Sequence, residues 1–352
     1  MSKRVLVTGG AGFIGSHIVE ELLEHDCEVR VVDALLASAH AADAQPDLPA
    51  EAEFVHGDLR DPEVARAAVD GMDAICHQAA MVGLGADVGD IADYVAHNDL
   101  GTAVLLKALA DRRYQGRIVL ASSMVGYGEG RYVCAEHGLV RPGPRALEDL
   151  DAGRFDPRCP LCGRDLSAEP VPETAAMDPR NVYAATKLHQ EHLCESFARE
   201  VDGISYTALR YHNVYGARMP RDTPYAGVAS IFRSAVAGGR APRVFEDGNQ
   251  LRDFIDVRDV ARANRLALLG KPAPGAFNIA TGRPASVGDM ARALAAVAGD
   301  AAPAPVVTGD YRRGDVRHVF ASAQRARDGL GFSARVSLQD GMRDFARAPL
   351  RG

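Results

Sequence analysis

The chain has no apolar run long enough to span a bilayer, no excess of positive charge, no internal repeat and no low-complexity tail. Each absence removes a class of protein. Without the run, no membrane-spanning helix is expected. A formal net charge of −7 gives no general attraction to nucleic acid. Cysteines are few, six in 352 residues. In a reducing compartment they should be thiols or metal ligands rather than disulfides. A strand-like run starts at once, leaving no room for a leader, so a cytoplasmic protein is expected. What remains is 47% hydrophobic and 25% charged residues, the balance of a soluble globular chain. The length suffices for a large core and two domains or lobes.

The most informative stretch is residues 8–15, T-G-G-A-G-F-I-G, directly behind the apolar run Val5-Leu6-Val7. A strand that ends in glycines and feeds a helix places bare backbone N–H groups against a pyrophosphate. Gly9 allows the tight turn, Gly12 lets backbone approach the phosphates, and Gly15 lets the helix pack close to the strand. Phe13, Ile14, Ile18, Val19, Leu22 and Leu23 follow at helical spacing. Arg30-Val31-Val32-Asp33 is a second strand ending in an acid, placed to accept from adenosine ribose hydroxyls. Ala34, Leu35 and Leu36 follow it, with no arginine to offset a 2′-phosphate, so NAD is favoured over NADP.

Strand and helix patterns then alternate. Phe54-Val55-His56, Ala74-Ile75-Cys76-His77 and Ile118-Val119-Leu120-Ala121 read as strands, and 98–110 as a helix. This is the rhythm of a parallel, doubly wound α/β sheet. It breaks from 129 to 172, where Pro, Gly, Arg and Cys show no clear period. Helical pattern returns over 181–200, a strand over 205–209, and helices with short strands mix beyond 216.

Tyr183 and Lys187 lie four apart at a helix start and so share one face. A neighbouring ammonium, helped by a positive nicotinamide ring, would lower the phenol pKa and make it a proton shuttle. Ser123 lies just past a strand end, where ligands bind in such sheets, and can hydrogen-bond a reacting alcohol.

With these features the chain resembles the extended short-chain dehydrogenase/reductases, specifically the sugar-nucleotide epimerase/dehydratase family. The likeness covers Thr8–Gly15, Gly57–Asp61, His77–Ala80, Asn98 with Gly101-Thr102, and Ser122–Gly128. It continues through Tyr183–Lys187, Arg210–Gly216, Arg252–Val257 and Arg312–Asp315. The resemblance implies a Rossmann sheet over 1–212, with 250–282 returning to it, and a smaller α/β substrate lobe from 213–249 and 283–352. It implies Ser123, Tyr183 and Lys187 as the catalytic set. Asp58 with Leu59, then Gln78, Ala79, Ala80, Asn98 and His212, would join the glycine turn and Asp33 around NAD. Met81, Val82, Met124 and Val228 would line the sugar nucleotide. Asn213, Arg252 and Arg312 would hold its diphosphate, where a planar guanidinium suits phosphate. Arg312 and Arg313 compete for one role, and Arg312 is favoured on spacing. A homodimer through helices near 98–110 and 183–200 is implied as well.

Family dehydratases carry an Asp-Glu pair after the strand-end hydroxyl. Met124 and Val125 stand there instead and cannot transfer protons. Oxidation and re-reduction at C4 of the sugar is left as the expected chemistry. The loop Met81-Val82-Gly83-Leu84-Gly85 offers apolar surface that suits a C6 methyl and would desolvate a carboxylate. It points to a dTDP-6-deoxyhexose, and the pattern, insertion included, resembles the group of dTDP-L-rhamnose 4-epimerases. A C4 oxidoreductase, a UDP-hexose or uronate epimerase or decarboxylase, and an NAD-sensing regulator are the alternatives.

Cys134-Ala-Glu-His137 and Cys159-Pro-Leu-Cys162-Gly163 lie in the irregular 129–172 segment. Three thiolates and an imidazole in two hooks form a closed tetrahedral set for structural zinc, giving a zinc-ribbon-like insertion. The segment is too polar to bury a core, so a metal would supply its folding energy. A loop with incidental cysteines, or a disulfide formed on isolation, are the other readings. Cys27, Cys76 and Cys194 read as core or surface thiols.

Overall fold

Val5, Leu6 and Val7 are wholly buried, which is what an uninterrupted apolar run signals in a strand covered on both faces. Their strand β1 (Arg4–Thr8) sits inside a seven-stranded sheet. Beside it run β2 (Glu28–Asp33) and β3 (Glu53–His56) on one side. On the other side lie β4 (Ala74–His77), β5 (Gly116–Ser123), then the strands Ile204–Tyr211 and Gly275–Ile279. All six pairings are parallel. The computed structural model describes residues 2–37, 39–40, 45–83, 88–221, 227–299 and 302–351, with only the backbone at 88.

Register brings the chemistry to one edge. Thr8 pairs with His77, and Ser123 with Tyr211, all at carboxyl ends of their strands. The order of strands reverses at the β1/β4 boundary, which opens a crevice above those ends.

Helix α1 (Phe13–Leu23) packs with the Val257–Leu269 helix on one face. Pro62–Ala68, Gly101–Asp111 and Val182–Glu200 cover the other. Leu6, Ile75, Leu105 and Leu109 are fully buried in that second core. Each such side chain contributes about 1.5–3 kcal/mol by leaving water. A third core holds Tyr215, Phe232, Phe254, Met290, Leu294, Met342 and Phe345, and it builds the smaller lobe.

Two expectations about the chain's organisation change. The 283–352 stretch does not share one core: Ala326 and Phe332 pack with Phe277 beneath the main sheet. The Gln324–Leu330 helix returns to cover the edge strand Gly275–Ile279, whose apolar face needs a partner. The 129–172 segment is not irregular either. Arg131–Cys134 is the middle strand of an antiparallel sheet with Gly138–Val140 and Ser167–Glu169. Strands of three or four residues are too short to show a period. The expected 98–110 helix begins as a π-helical turn, Val95–Leu100, before Gly101–Asp111. Such single turns often mark functional places.

Candidate active site

The Val182–Glu200 helix starts where Asn181 caps it, its side chain accepting from the Ala184 N–H at 2.8 Å. That cap fixes Tyr183 in the first turn. Across the crevice, β5 ends at Ser123, whose hydroxyl accepts from Val125 N–H at 3.3 Å and starts a short 3₁₀ turn. Ser123 stands near the Tyr183 phenol and favours its ionised form. The Tyr94 ring stands 6.0 Å from that of Tyr183.

The tuning of the phenol differs from expectation. Burial pushes Tyr183 up to about 12, and the nearby Ser123 hydroxyl opposes that shift without reversing it. Lys187 is on the same helix face, but its Nζ donates to Gln190 Oε1 at 2.7 Å. Burial lowers Lys187 to about 8, against the charge of Glu191. In this arrangement desolvation, with the neighbouring Tyr94, outweighs the pull of Ser123 on the phenol.

Behind the pair runs a continuous polar chain. Gln190 Nε2 donates to Thr102 Oγ1 at 2.8 Å and to Asn98 O at 3.2 Å. The Thr102 hydroxyl donates to Asn98 O at 2.6 Å, so its oxygen is free to accept from His77 Nε2 at 2.9 Å. His77 Nδ1 then accepts from Thr8 Oγ1 at 2.7 Å, and Thr8 accepts from Ala79 N–H at 3.1 Å. This assigns His77 as neutral with its proton on Nε2. Burial, with the Lys187 charge, lowers its pKa to about 3. Thr8 and Thr102 lie in motifs read from the sequence but were given no role there, and Gln190 was not singled out. The spacings Asn98 to Thr102 and Lys187 to Gln190 are the signal that could have found them.

The glycine turn is built as expected. Gly9 has φ +66°, and a Cβ there would meet Ala79 backbone at 2.8 Å. A Cβ on Gly15 would run into the Gly9 carbonyl. Gly12 caps α1 with no side-chain bond, so the N–H groups around Phe13 and Ile14 face the crevice end of the helix uncapped. Asp33 accepts from Ala11 N–H at 3.0 Å and Leu35 N–H at 2.9 Å, which ties the second strand end to the turn.

Other expected cofactor residues are engaged differently. Arg60 grips the Asp58 carboxylate, with Nη2 at 2.6 Å, and holds it below its usual range. Leu59 is buried. Gln78 turns its amide inward, to Asn264 at 3.2 Å and Tyr211 at 3.1 Å, so only its backbone lies on the strand edge with Ala80. His212 is buried at the adjacent strand end, its ring nitrogens without a hydrogen-bond partner among the described residues, and burial lowers it to about 3.

Of the substrate residues, Met81 is half-buried and Val82 is 48% exposed. Leu84 and Gly85 lie outside the described residues. Met124 follows Ser123 in the 3₁₀ turn, and Val228 opens the Val228–Ala237 helix against the small-lobe core. Asn213 donates its N–H to Asp253 O at 2.9 Å and has an unpartnered side-chain oxygen. Arg252 donates to the carbonyls of Val316 at 2.7 Å and Arg317 at 2.8 Å, so it braces that segment. Arg312 is exposed, its guanidinium 5.4 Å from the Phe245 ring centre.

The four residues of the two Cys/His hooks converge. Their ligand atoms all lie within 4.8 Å of one another. Cys134 Sγ is 3.7 Å from Cys162 Sγ and 3.6 Å from His137 Nδ1, and Cys159 Sγ is 3.8 Å from that nitrogen. A tetrahedral zinc with ordinary bond lengths has edges of about 3.8 Å between sulfurs and about 3.6 Å from sulfur to nitrogen. The set fits such an ion. Cys27, Cys76 and Cys194 are buried thiols elsewhere.

The profile of the NAD dependent epimerase/dehydratase family matches residues 5–145 and 161–280, leaving a gap inside the Cys/His segment. The dTDP-L-rhamnose 4-epimerase of Burkholderia thailandensis is 34% identical over 97% of this chain and 93% of its own. The crystal structure of UDP-glucose 4-epimerase from Thermotoga maritima, with UDP-glucose, aligns over 97% of both chains at 30% identity and TM-score 0.79. That of the Thermus thermophilus UDP-glucose 4-epimerase, in complex with NAD, aligns over 97% of both at 31% identity and TM-score 0.76.

Proposed function

This chain belongs to the NAD dependent epimerase/dehydratase family, and from that premise we propose that it inverts C4 of a nucleoside-diphosphate sugar, a dTDP-6-deoxyhexose of the L-rhamnose kind. The observation that carries the reaction type is Ser123 at the end of β5 beside Tyr183 in the first turn of the Val182–Glu200 helix, with Met124 and Val125 following the serine. Ser123 and Tyr183 form a proton-handling pair for the C4 hydroxyl, and Met124 and Val125, next in the chain, cannot expel a second group as water. The substrate choice is supported by the apolar Met81 and Val82 and by the Burkholderia relative. The two structural relatives act on or carry UDP sugars, so the base must be tested.

Gly9, Gly12, Gly15, Asp33 and the uncapped start of α1 suit NAD, which when bound supplies a hydride acceptor and returns the hydride to the same carbon. The chain's own residues do the rest. Ser123 orients the C4 hydroxyl. Tyr183 takes its proton and later returns it to the C4 oxygen, after the sugar has turned its other face to the cofactor. Lys187, fixed by Gln190, supplies positive charge that favours the phenolate once the crevice is filled. Asn213, Arg252 and Arg312 hold the diphosphate while the sugar turns. The seven-stranded part serves the cofactor and the smaller lobe the sugar nucleotide.

Cys134, His137, Cys159 and Cys162 would hold a structural zinc; with four protein ligands, no position is left for catalysis. A homodimer is supported by Ile91, Val95 and Leu100, each at least 42% exposed beside the Gly101–Asp111 helix. No described helix is long and apolar enough to cross a membrane, in keeping with a cytoplasmic enzyme.

Incubation with a panel of dTDP- and UDP-sugars in deuterated water tests the reaction. Inversion at C4 without deuterium there is expected, with dTDP-L-rhamnose or its C4 epimer turned over fastest. Deuterium at C3 or C5 would overturn the hydride route, and faster turnover of a UDP-hexose would overturn the substrate.

A further inference from the structure

Arg317 is 1% exposed, and its guanidinium joins two parts of the chain that are far apart in sequence. Nε donates to Asp156 Oδ1 at 2.8 Å, and the Phe155 ring centre lies 5.8 Å from the guanidinium carbon. Both residues sit just before Cys159 in the inserted segment. Nη1 donates to Glu246 at 2.8 Å, and Nη1 and Nη2 grip Asp247 at 2.7 and 2.8 Å. Those acids belong to the smaller lobe. Arg145, also from the insertion, forms a buried pair with Glu246 at 2.8 Å and donates to Asp315 O at 2.8 Å.

The segment 315–317 is therefore held from two sides. The insertion grips it through Arg145 and Asp156. From the other side Arg252 braces the Val316 and Arg317 carbonyls. A buried guanidinium loses much of its hydration, so removing the Asp156 carboxylate leaves its Nε–H without that acceptor, although Glu246 and Asp247 still face it, and lets the segment relax. Arg312 lies five residues before Arg317 on the same stretch, so a shift at 315–317 moves both candidate diphosphate arginines together.

We infer that Arg317 is a positioning residue that couples the Cys/His knuckle to the nucleoside diphosphate, so that substrate affinity depends on an intact metal site outside the crevice. The inference rests on the diphosphate role proposed above for Arg252 and Arg312. A solely architectural insertion would alter stability and leave affinity untouched.

The test uses the NAD-loaded full chain and titrates dTDP and UDP by calorimetry. Zinc content is measured before and after a zinc chelator. Expected is about one zinc per chain, and a rise of about tenfold in diphosphate Kd on its removal, the scale of one lost charge-assisted contact. Asp156→Asn should give a similar rise, Asp156→Glu should recover most of it, and kcat at saturating sugar nucleotide should hold within about twofold. Asp156 has a side chain 57% exposed, so these variants avoid the burial problem of changing Arg317 itself. Absence of zinc, an unchanged Kd after its removal, or loss of NAD together with the diphosphate would overturn the coupling. Arg252→Ala separates the two claims. If it weakens dTDP binding and Asp156→Asn does not, only the coupling fails. If neither does, the diphosphate assignment fails with it.

Discussion

Asn98 holds Met81 at two points: Met81 N–H donates to Oδ1 at 2.7 Å, and Nδ2 donates to Met81 O at 3.0 Å. The same Nδ2 donates to Thr186 Oγ1 at 2.9 Å, so one buried amide ties the loop after β4 to the catalytic helix. Asn98→Ala would leave both Met81 groups and the Thr186 oxygen without this partner. A loss of about 2–4 kcal/mol is expected, read by urea unfolding, with lower NAD content in the purified protein. Unchanged stability and full NAD occupancy would show that water replaces the clamp.

That clamp also shows what was legible in the sequence. The glycine turn, Asp33, the strand-end serine and the Tyr-Lys spacing are local patterns, and local patterns survive in a linear text. The Cys/His hooks were legible too, because ligand type and spacing are local within each hook. Asn98 could be listed, but its partner Met81 could not, since that contact depends on a π turn that reorients the side chain. The engagement of Asp58 by Arg60 and the inward turn of Gln78 depend likewise on tertiary neighbours. The three-stranded insertion was hidden because its strands are too short for periodicity, and the Arg317 cluster because its five members span residues 145 to 317.

Acid should destabilise the fold through His77 and His212. Both are lowered by burial to about 3 in the folded chain, against an ordinary value of 6.5. The unfolded chain therefore binds more protons between those values. The contribution of each is complete above about pH 6.5 and falls by about 1.4 kcal/mol per pH unit below it. For His77 the cause is burial, with the Lys187 charge beside it, and a proton on Nδ1 would also displace the Thr8 hydroxyl hydrogen it accepts. His212→Phe should reduce the acid slope by about one proton, measured by denaturant titrations from pH 7 to 5. A slope unchanged in that variant would mean that His212 is protonated when folded.

Ser123→Ala and Tyr183→Phe should both lower kcat while leaving the fold and bound NAD intact. The tyrosine variant should lose at least about a hundredfold, the range of general acid–base catalysis. The serine variant should lose kcat and should also raise the phenol pKa, because the nearby Ser123 hydroxyl favours the ionised phenol. The alkaline shift is read from the ultraviolet titration of wild type against variant. Full activity in Tyr183→Phe would remove the proton shuttle from the mechanism.

Asp33 should set the cofactor choice. Its carboxylate already accepts from Ala11 and Leu35, and a 2′-phosphate brought against it would repel. NADP should fail to restore activity to protein stripped of NAD. Asp33→Ala should weaken NAD retention and narrow the preference for it over NADP, measured by competitive reloading. Equal reloading by the two dinucleotides in the unaltered protein would contradict the assignment.

Glu191 links stability to the charge of Lys187, proposed above to act on the phenol. It pairs with Arg210 at 2.8 Å, both side chains 8% exposed, and accepts from Ser122 at the end of β5. Glu191→Ala strands a buried guanidinium and should cost about 3–5 kcal/mol. Glu191→Gln keeps the shape and removes the charge, which is the principal influence holding Lys187 up against burial. Lys187 should then lose its proton below its present value of about 8. If the phenol needs that ammonium, the alkaline limb of the kcat–pH profile must move to lower pH in Glu191→Gln. An alkaline limb that stays in place, in a variant shown to be folded and NAD-loaded, would mean that the lysine acts through position rather than charge.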